Sequence, residues 1–278
     1  MQIKQPIVPS MGQVIAPPNV RNRSCEGRLV GCNPTPLKAS GLSQEGVLEE
    51  VGQGVAMIFR AVEGPEVKLH CFQTFYNLCP FSRFANESLV RDAWSGFLVS
   101  KRHVMTARHT LNGPLEGLHV AFGLSAFANR DGYLDLPRRN HYRVVGLAGS
   151  NPDCDTVCLE LDRPVEDVEP VCLQATKAAA DSDVLLVGHP RGLALKLARG
   201  HVRQAATDSS GTFTAVVDAY GGQSGAPVFS AESRQVVGML LGSWEDLIVT
   251  QSGCRMMTAP LFRAQKCVDS GVLQRLLS

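Results

Sequence analysis

No apolar run in this 278-residue chain approaches the length needed to cross a bilayer. Charge of one sign is also missing: the formal net charge is +1, and no basic stripe interleaved with aromatic residues runs along any segment. Neither a membrane nor a nucleic acid is therefore expected as a partner. Nine cysteines give an odd count, so at least one thiol is left over within the chain. None stands in the C-x-x-C spacing of a zinc site, and no bridge is assigned to Cys25 with Cys32 or to Cys71 with Cys79. No metal or other cofactor is expected. The first residues, MQIKQPIVPSMGQVIAPP, lack the unbroken apolar core of a secretory signal, which favours a cytoplasmic protein or one exported by a route the chain does not announce. Histidine is scarce: there are seven, and none lies after His201.

What the chain does have is GGQSGAPVF, Gly221 to Phe229, a serine inside a turn of glycines. A hydroxyl is a poor nucleophile at neutral pH and needs a base beside it, and a carbonyl under attack needs donors for the charge that develops on its oxygen. Gly221, Gly222 and Gly225 permit dihedrals in which the N–H groups of Gly222 and Ser224 converge on one point. The bland alternative is a Gly-rich hairpin turn with an incidental serine. Any catalytic histidine must precede Ser224, and Ala226 replaces the last glycine of G-x-S-x-G; both facts argue against an esterase of the α/β-hydrolase kind. Among the histidines, His109 alone ends a strand-like apolar run, SGFLVSKRHVMTARH, whose halves are predicted to pair as a hairpin about Lys101 and Arg102.

These residues carry a resemblance. TARH, Thr106 to His109, resembles the T-A-x-H motif of the trypsin-like, chymotrypsin-fold serine peptidases, and GGQSGAPVF resembles their serine motif. DTVCLEL, Asp155 to Leu161, resembles the segment in which that family's aspartate precedes a buried strand, and the order His, Asp, Ser is the family's. VLLVGHPRGL, Val184 to Leu193, is similar to the G-x-P-x-G turn of the bacterial glutamyl endopeptidases and HtrA-type members. The resemblance spans about Val51 to Phe262. It implies an all-β fold of two packed six-stranded antiparallel barrels with a C-terminal helix, and a serine endopeptidase acting on proteins or peptides through an acyl-enzyme. The alternative is a catalytically inactive binding module on the same scaffold.

Roles follow position by position. The resemblance implies Ser224 as the nucleophile, His109 as the general base and then acid, and Asp155 as the buried carboxylate that orients the imidazole, with Asp153 as the nearby rival. Gly222 and Ser224 would form the oxyanion hole. Asp218, six residues before the nucleophile, takes the place of the aspartate that pairs with Arg or Lys side chains in trypsin, and Gly242 and Ser243 line the pocket within LLGSW. The implied preference is for a basic residue before the scissile bond. Gln223 stands where zymogen-activated relatives carry an aspartate, so activation by an inserted N-terminal amine is not expected.

The expected organisation is a flexible arm rich in Pro, Ser, Asn and Gly over 1–45, a first barrel over 46–161 and a polar crossover over 162–182. A second barrel follows over 183–262, with a closing helix over 263–278.

Overall fold

The computed structural model describes residues 44–60, 66–207, 211–243, 246–258 and 264–277. Nearly all of the expected arm, together with Cys25, Cys32 and Trp244, lies outside them. The first half runs α1 (Gln44–Gly52), β1 (Val55–Arg60), β2 (Val67–Cys71), α2 (Phe72–Tyr76), β3 (Ser88–Val90), β4 (Ala93–Ser100), β5 (His103–Ala107) and β6 (Leu118–Ala121). It continues with β7 (Asn129–Arg130), β8 (Tyr133–Leu134), β9 (His141–Asn151) and β10 (Thr156–Leu161). The second half holds β11 (Asp183–Gly188), β12 (Lys196–Gln204), β13 (Thr212–Val217), β14 (Pro227–Ser230) and β15 (Val236–Leu240). After these come β16 (Leu247–Val249), β17 (Arg255–Met257), β18 (Gln265–Asp269) and α3 (Ser270–Gln274).

Two closed antiparallel barrels result, in the strand orders β1-β4-β5-β10-β9-β6 and β11-β12-β13-β18-β15-β14. The expected hairpin is β4–β5, with Phe97 opposite Met105 and Leu98 opposite Val104. Its central residues, Phe97 with Leu98 and Val104 with Met105, are apolar because both faces are covered there. Leu98 and Val104 fill the first barrel with Ile58, Val120 and Leu159, whereas Phe97 and Met105 turn outward into a seam with Leu185, Val187, Leu197 and Met239. Successive side chains of a strand point to opposite faces, so one hairpin contributes to two cores. Burial of each such side chain is worth about 1.5–3 kcal/mol. The crossover binds both halves: the Val171 N–H donates to Leu98 O at 2.9 Å, and the Gln174 N–H to Val236 O at 2.8 Å.

Two features differ from expectation. The closing segment begins as a strand, because Val268 lies opposite both Thr212 and Met239 and β18 completes the second barrel. The helix is confined to Ser270–Gln274, where Asp269 caps it by accepting from the Gly271 N–H. The second feature is a substructure inserted between β1 and β4. β2 and β3 join β7 and β8 in a four-stranded sheet, and the loop between α2 and β3 reaches across to the separate β16–β17 hairpin of the second half. There Cys79 is disulfide-bonded to Cys254, 175 residues away. That separation hides the pair from any reading of local cysteine spacing.

Candidate active site

The rim of the first barrel holds His109 and Asp155. Ala107 lies opposite Thr156 in the β5–β10 ladder, so the residues leaving the two strands emerge side by side. His109 follows in a short 3-10 turn, Arg108–Thr110. Asp155 precedes β10 with a left-handed backbone, φ 52°, and its carbonyl accepts the Arg108 N–H at 2.9 Å. Its carboxylate takes two bonds from one residue: Oδ1 accepts the His109 backbone N–H at 2.8 Å, and Oδ2 lies 2.5 Å from Nδ1. A carboxylate only accepts, so Nδ1 carries the proton and, in the neutral ring, Nε2 is left as the basic nitrogen. Asp153 is exposed and the imidazole bonds to Asp155. One expectation is corrected: the Asp155 side chain is not buried but 34% exposed, because the strand mouth opens at the surface.

The Ser224 turn belongs to the second barrel, between β13 and β14. Five of its amides are engaged. Tyr220 N–H donates to Gln223 Oε1 at 2.9 Å and Gly221 N–H to Asp246 Oδ2 at 2.7 Å. Gln223, Gly225 and Ala226 donate to Tyr220 O, Leu240 O and Gln223 O at 3.2, 2.8 and 2.9 Å. Among the described residues, the N–H groups of Gly222 and Ser224 donate to no protein acceptor. Glycine is required at two points. A Cβ on Gly222, at φ +82°, would stand 2.6 Å from Arg191 N, and one on Gly225, at φ +85°, only 2.2 Å from Thr106 Oγ1 and 3.0 Å from Ala107 N. The Gly225 contact brings the serine turn against the strand that leads into His109.

Ser95, wholly buried on β4, ties the turn to the first barrel. Its Oγ donates to Gly222 O at 3.0 Å and accepts from the His189 N–H at 2.9 Å, and its own N–H donates to Ser224 O at 3.3 Å. On the opposite side Asp246, fully buried, pairs with Arg191, whose own N–H donates to Gly221 O at 2.6 Å. The Arg191–Asp246 pair thus grips both the amide and the carbonyl of Gly221. Gln223 is buried and spends its side-chain oxygen on the turn itself, with no charge to offer an inserted amine. Sequence reasoning missed Ser95 and Asp246; Arg191 lies inside the singled-out GHPRGL turn, without an assigned role.

Asp218 leaves β13 just before this turn, and Gly242 and Ser243, half-buried, follow β15. Burial pushes the Asp218 carboxyl above the usual carboxylate range, opposed by Arg83. The Arg83 Nη1 lies 3.6 Å from Asp218 Oδ2, an ion pair rather than a hydrogen bond, and donates to the Tyr220 hydroxyl at 2.9 Å. Arg83 comes from the first-barrel insertion, and no motif in the sequence points to it. Among the described residues no group of three or more His, Cys, Asp or Glu side chains could hold a metal ion.

No curated protein matches the sequence significantly. The fold is similar to an inactive form of Rv3671c from M. tuberculosis H37Rv, with a TM-score of 0.53 at 17% identity over 87% of this chain and 93% of that one. A serine endoprotease from Yersinia pestis gives 0.55 at 14% identity, over 86% and 66%. The active form of the M. tuberculosis Rv3671c protease gives 0.51 at 20% identity, over 83% and 82%. At such identities these likenesses speak for the fold. In sequence, residues 94–239 match the trypsin-like peptidase domain. That stretch is more than half of the chain and runs through His109, Asp155 and Ser224, so the protein belongs to the trypsin-like peptidase family.

Proposed function

We propose that the chain is a serine endopeptidase whose catalytic triad is His109, Asp155 and Ser224. Ser224 Oγ attacks the scissile carbonyl while His109 Nε2 takes its proton; the C–N bond then breaks as that proton passes to the leaving amine, and water hydrolyses the acyl-enzyme by the same route. The Gly222 and Ser224 amides receive the oxyanion. The observation that carries this reading is the pattern of amides in the serine turn. Neighbouring N–H groups are bonded inside the protein, and the two unengaged ones are those that flank the position where charge develops in acyl transfer. Asp155 supports it by fixing the proton on Nδ1.

The turn GHPRG and the absence of an insertion carboxylate at Gln223 favour kinship with the bacterial glutamyl-endopeptidase and HtrA-type members, an enzyme that needs no new N-terminus to become competent. A preference for a basic side chain before the scissile bond would rest on Asp218, and a substrate cation there would have to compete with Arg83.

Replacing Ser224 by Ala should lower turnover of a casein-like substrate by on the order of 10⁶ while leaving the thermal melt unchanged. A fluorophosphonate probe should label the wild-type protein at Ser224. Undiminished cleavage by Ser224→Ala would reject the reading, and absence of labelling on folded protein would favour an inactive binding module.

A further inference from the structure

We propose that Arg83 is the residue that sets primary specificity: as a resident cation on Asp218 it makes the pocket accept an uncharged side chain before the scissile bond and turn away Arg and Lys. This rests on the endopeptidase reading above for its consequence in catalysis, though not for its consequence in binding.

Arg83 is held in place by construction. The loop that carries it is stitched to β17 of the β16–β17 hairpin and to the turn before it: the Cys79–Cys254 bridge anchors it, Cys79 N–H donates to Arg255 O and Arg255 N–H to Asn77 O, both at 2.8 Å, and Met257 N–H donates to Ser82 Oγ at 2.9 Å. From there the guanidinium meets the Tyr220 hydroxyl and faces Asp218, with its carbon 5.4 Å from the Phe84 ring centre. The Phe84 ring meets a second cation, Lys196, whose Nζ is also 5.4 Å from the centre and is bonded to Glu87 at 2.7 Å.

The side chains of Arg83 and Asp218 are only 26% and 16% exposed, so water screens their attraction poorly. A substrate guanidinium or ammonium approaching Asp218 meets a like charge already there, and it would gain the carboxylate only by displacing a side chain pinned at its base. The other buried acid beside the serine turn, Asp246, is hydrogen-bonded by Arg191 through both oxygens, whereas Asp218 Oδ2 faces Arg83 only at ion-pair distance and has no hydrogen-bond partner among the described residues. Each carboxylate nevertheless has a resident arginine as its counter-charge. An uncharged side chain leaves the Arg83–Asp218 pair intact and loses nothing by it. Discrimination comes from which partner would be left unpaired.

The test uses the full chain and an aryl amidinium, benzamidine, as a probe that needs no turnover. Wild type should bind it weakly. Arg83→Gln, which keeps a hydrogen-bonding group toward Tyr220, and Arg83→Ala should each bind it at least about tenfold more tightly, and adding Asp218→Asn should abolish the gain. In peptides differing only before the scissile bond, the ratio of kcat/KM for Arg over Leu should rise by the same factor. Thermal melts identify any variant that fails to fold, and Arg83→Gln is the milder change. Three results would overturn the proposal: tight benzamidine binding by wild type, no gain in either Arg83 variant, or a gain that survives Asp218→Asn. Failure of Ser224 to react with a fluorophosphonate while the benzamidine shift persists would reject the endopeptidase reading and leave the assignment of Arg83 standing.

Discussion

The two halves of the site are built on opposite plans. The His109–Asp155 half is local and open: its side chains are 47% and 34% exposed, and its geometry follows from one strand ladder in which Ala107 faces Thr156. The Ser224 half is held by residues remote in sequence, among them the buried Ser95 and Asp246. Its turn is held by Ser95 from the first barrel, Arg191 from a turn after β11 and Asp246 from the loop before β16. The difference teaches that the groups proposed to handle the proton are placed by secondary structure, whereas the amides proposed to receive the oxyanion are placed by a buried polar network. Damage to the first half should appear in the rate alone. Damage to the second should appear in rate and stability together.

The sharpest separation is expected from Asp155→Asn. The asparagine carbonyl can still accept the His109 backbone N–H, but its amide would present a donor to Nδ1 and favour the wrong tautomer. In a serine protease with this arrangement of groups, exchanging the orienting aspartate for asparagine lowers kcat by about 10⁴, and a fall of that order is expected here. Because the side chain sits at the surface, the unfolding midpoint should barely move. A melt lowered as much as that of a core variant would break the contrast between the halves.

Asp246→Asn attacks the other half. An amide oxygen can keep the Gly221 N–H, but Arg191, with 24% of its side chain exposed, would lose its counter-charge in a poorly solvated place. Removing one partner of a buried pair costs roughly 3 kcal/mol or more. As the turn loosens, kcat should fall by up to about 10² through misplacement of the Gly222 and Ser224 donors. Measured together, an unfolding curve and a kcat value test both clauses. A variant of full stability with wild-type kcat would show that the Arg191–Asp246 pair is ornamental to the turn.

What is legible in the sequence tracks this same division. TARH, DTVCLEL and GGQSGAPVF are short contiguous segments, and strand alternation or glycine content announces each of them. The barrels are legible for the same reason, since strands such as Val55–Arg60 and Thr212–Val217 read directly from their β-branched and aromatic content. Contacts that form only when distant segments meet are not. Cys79 and Cys254 look like two of nine ordinary thiols, and Ser95 is one more hydroxyl on an apolar strand. Arg83 lies in a loop whose composition says nothing of Asp218. The closing strand β18 reads as helix because Val268, Val272 and Leu276 keep a four-residue spacing, while the pairing of Val268 with two neighbouring strands decides otherwise.

His189 offers the finest test, since it lies under the junction of the two halves. It is buried at 1% exposure, its Nδ1–H donates to Leu193 O at 3.0 Å, and its N–H holds Ser95. Burial pushes the imidazole from its ordinary value near 6.5 down to about 4. Between those values the unfolded chain takes up a proton that the folded chain refuses, so stability is fully present above pH 6.5 and is lost as pH falls toward 4. His189→Asn keeps a donor near Leu193 O and removes the titration. Its unfolding free energy should therefore lose roughly 2 kcal/mol less than wild type between about pH 7 and pH 5. His141, also held to about 4 by burial, then His119 and Arg163, contributes a parallel loss in both proteins and cancels in the difference. Equal pH slopes would mean that the imidazole is solvated well enough to accept its proton in place, and the buried network beneath the serine turn would then tolerate a charge that a rigid, desolvated one forbids.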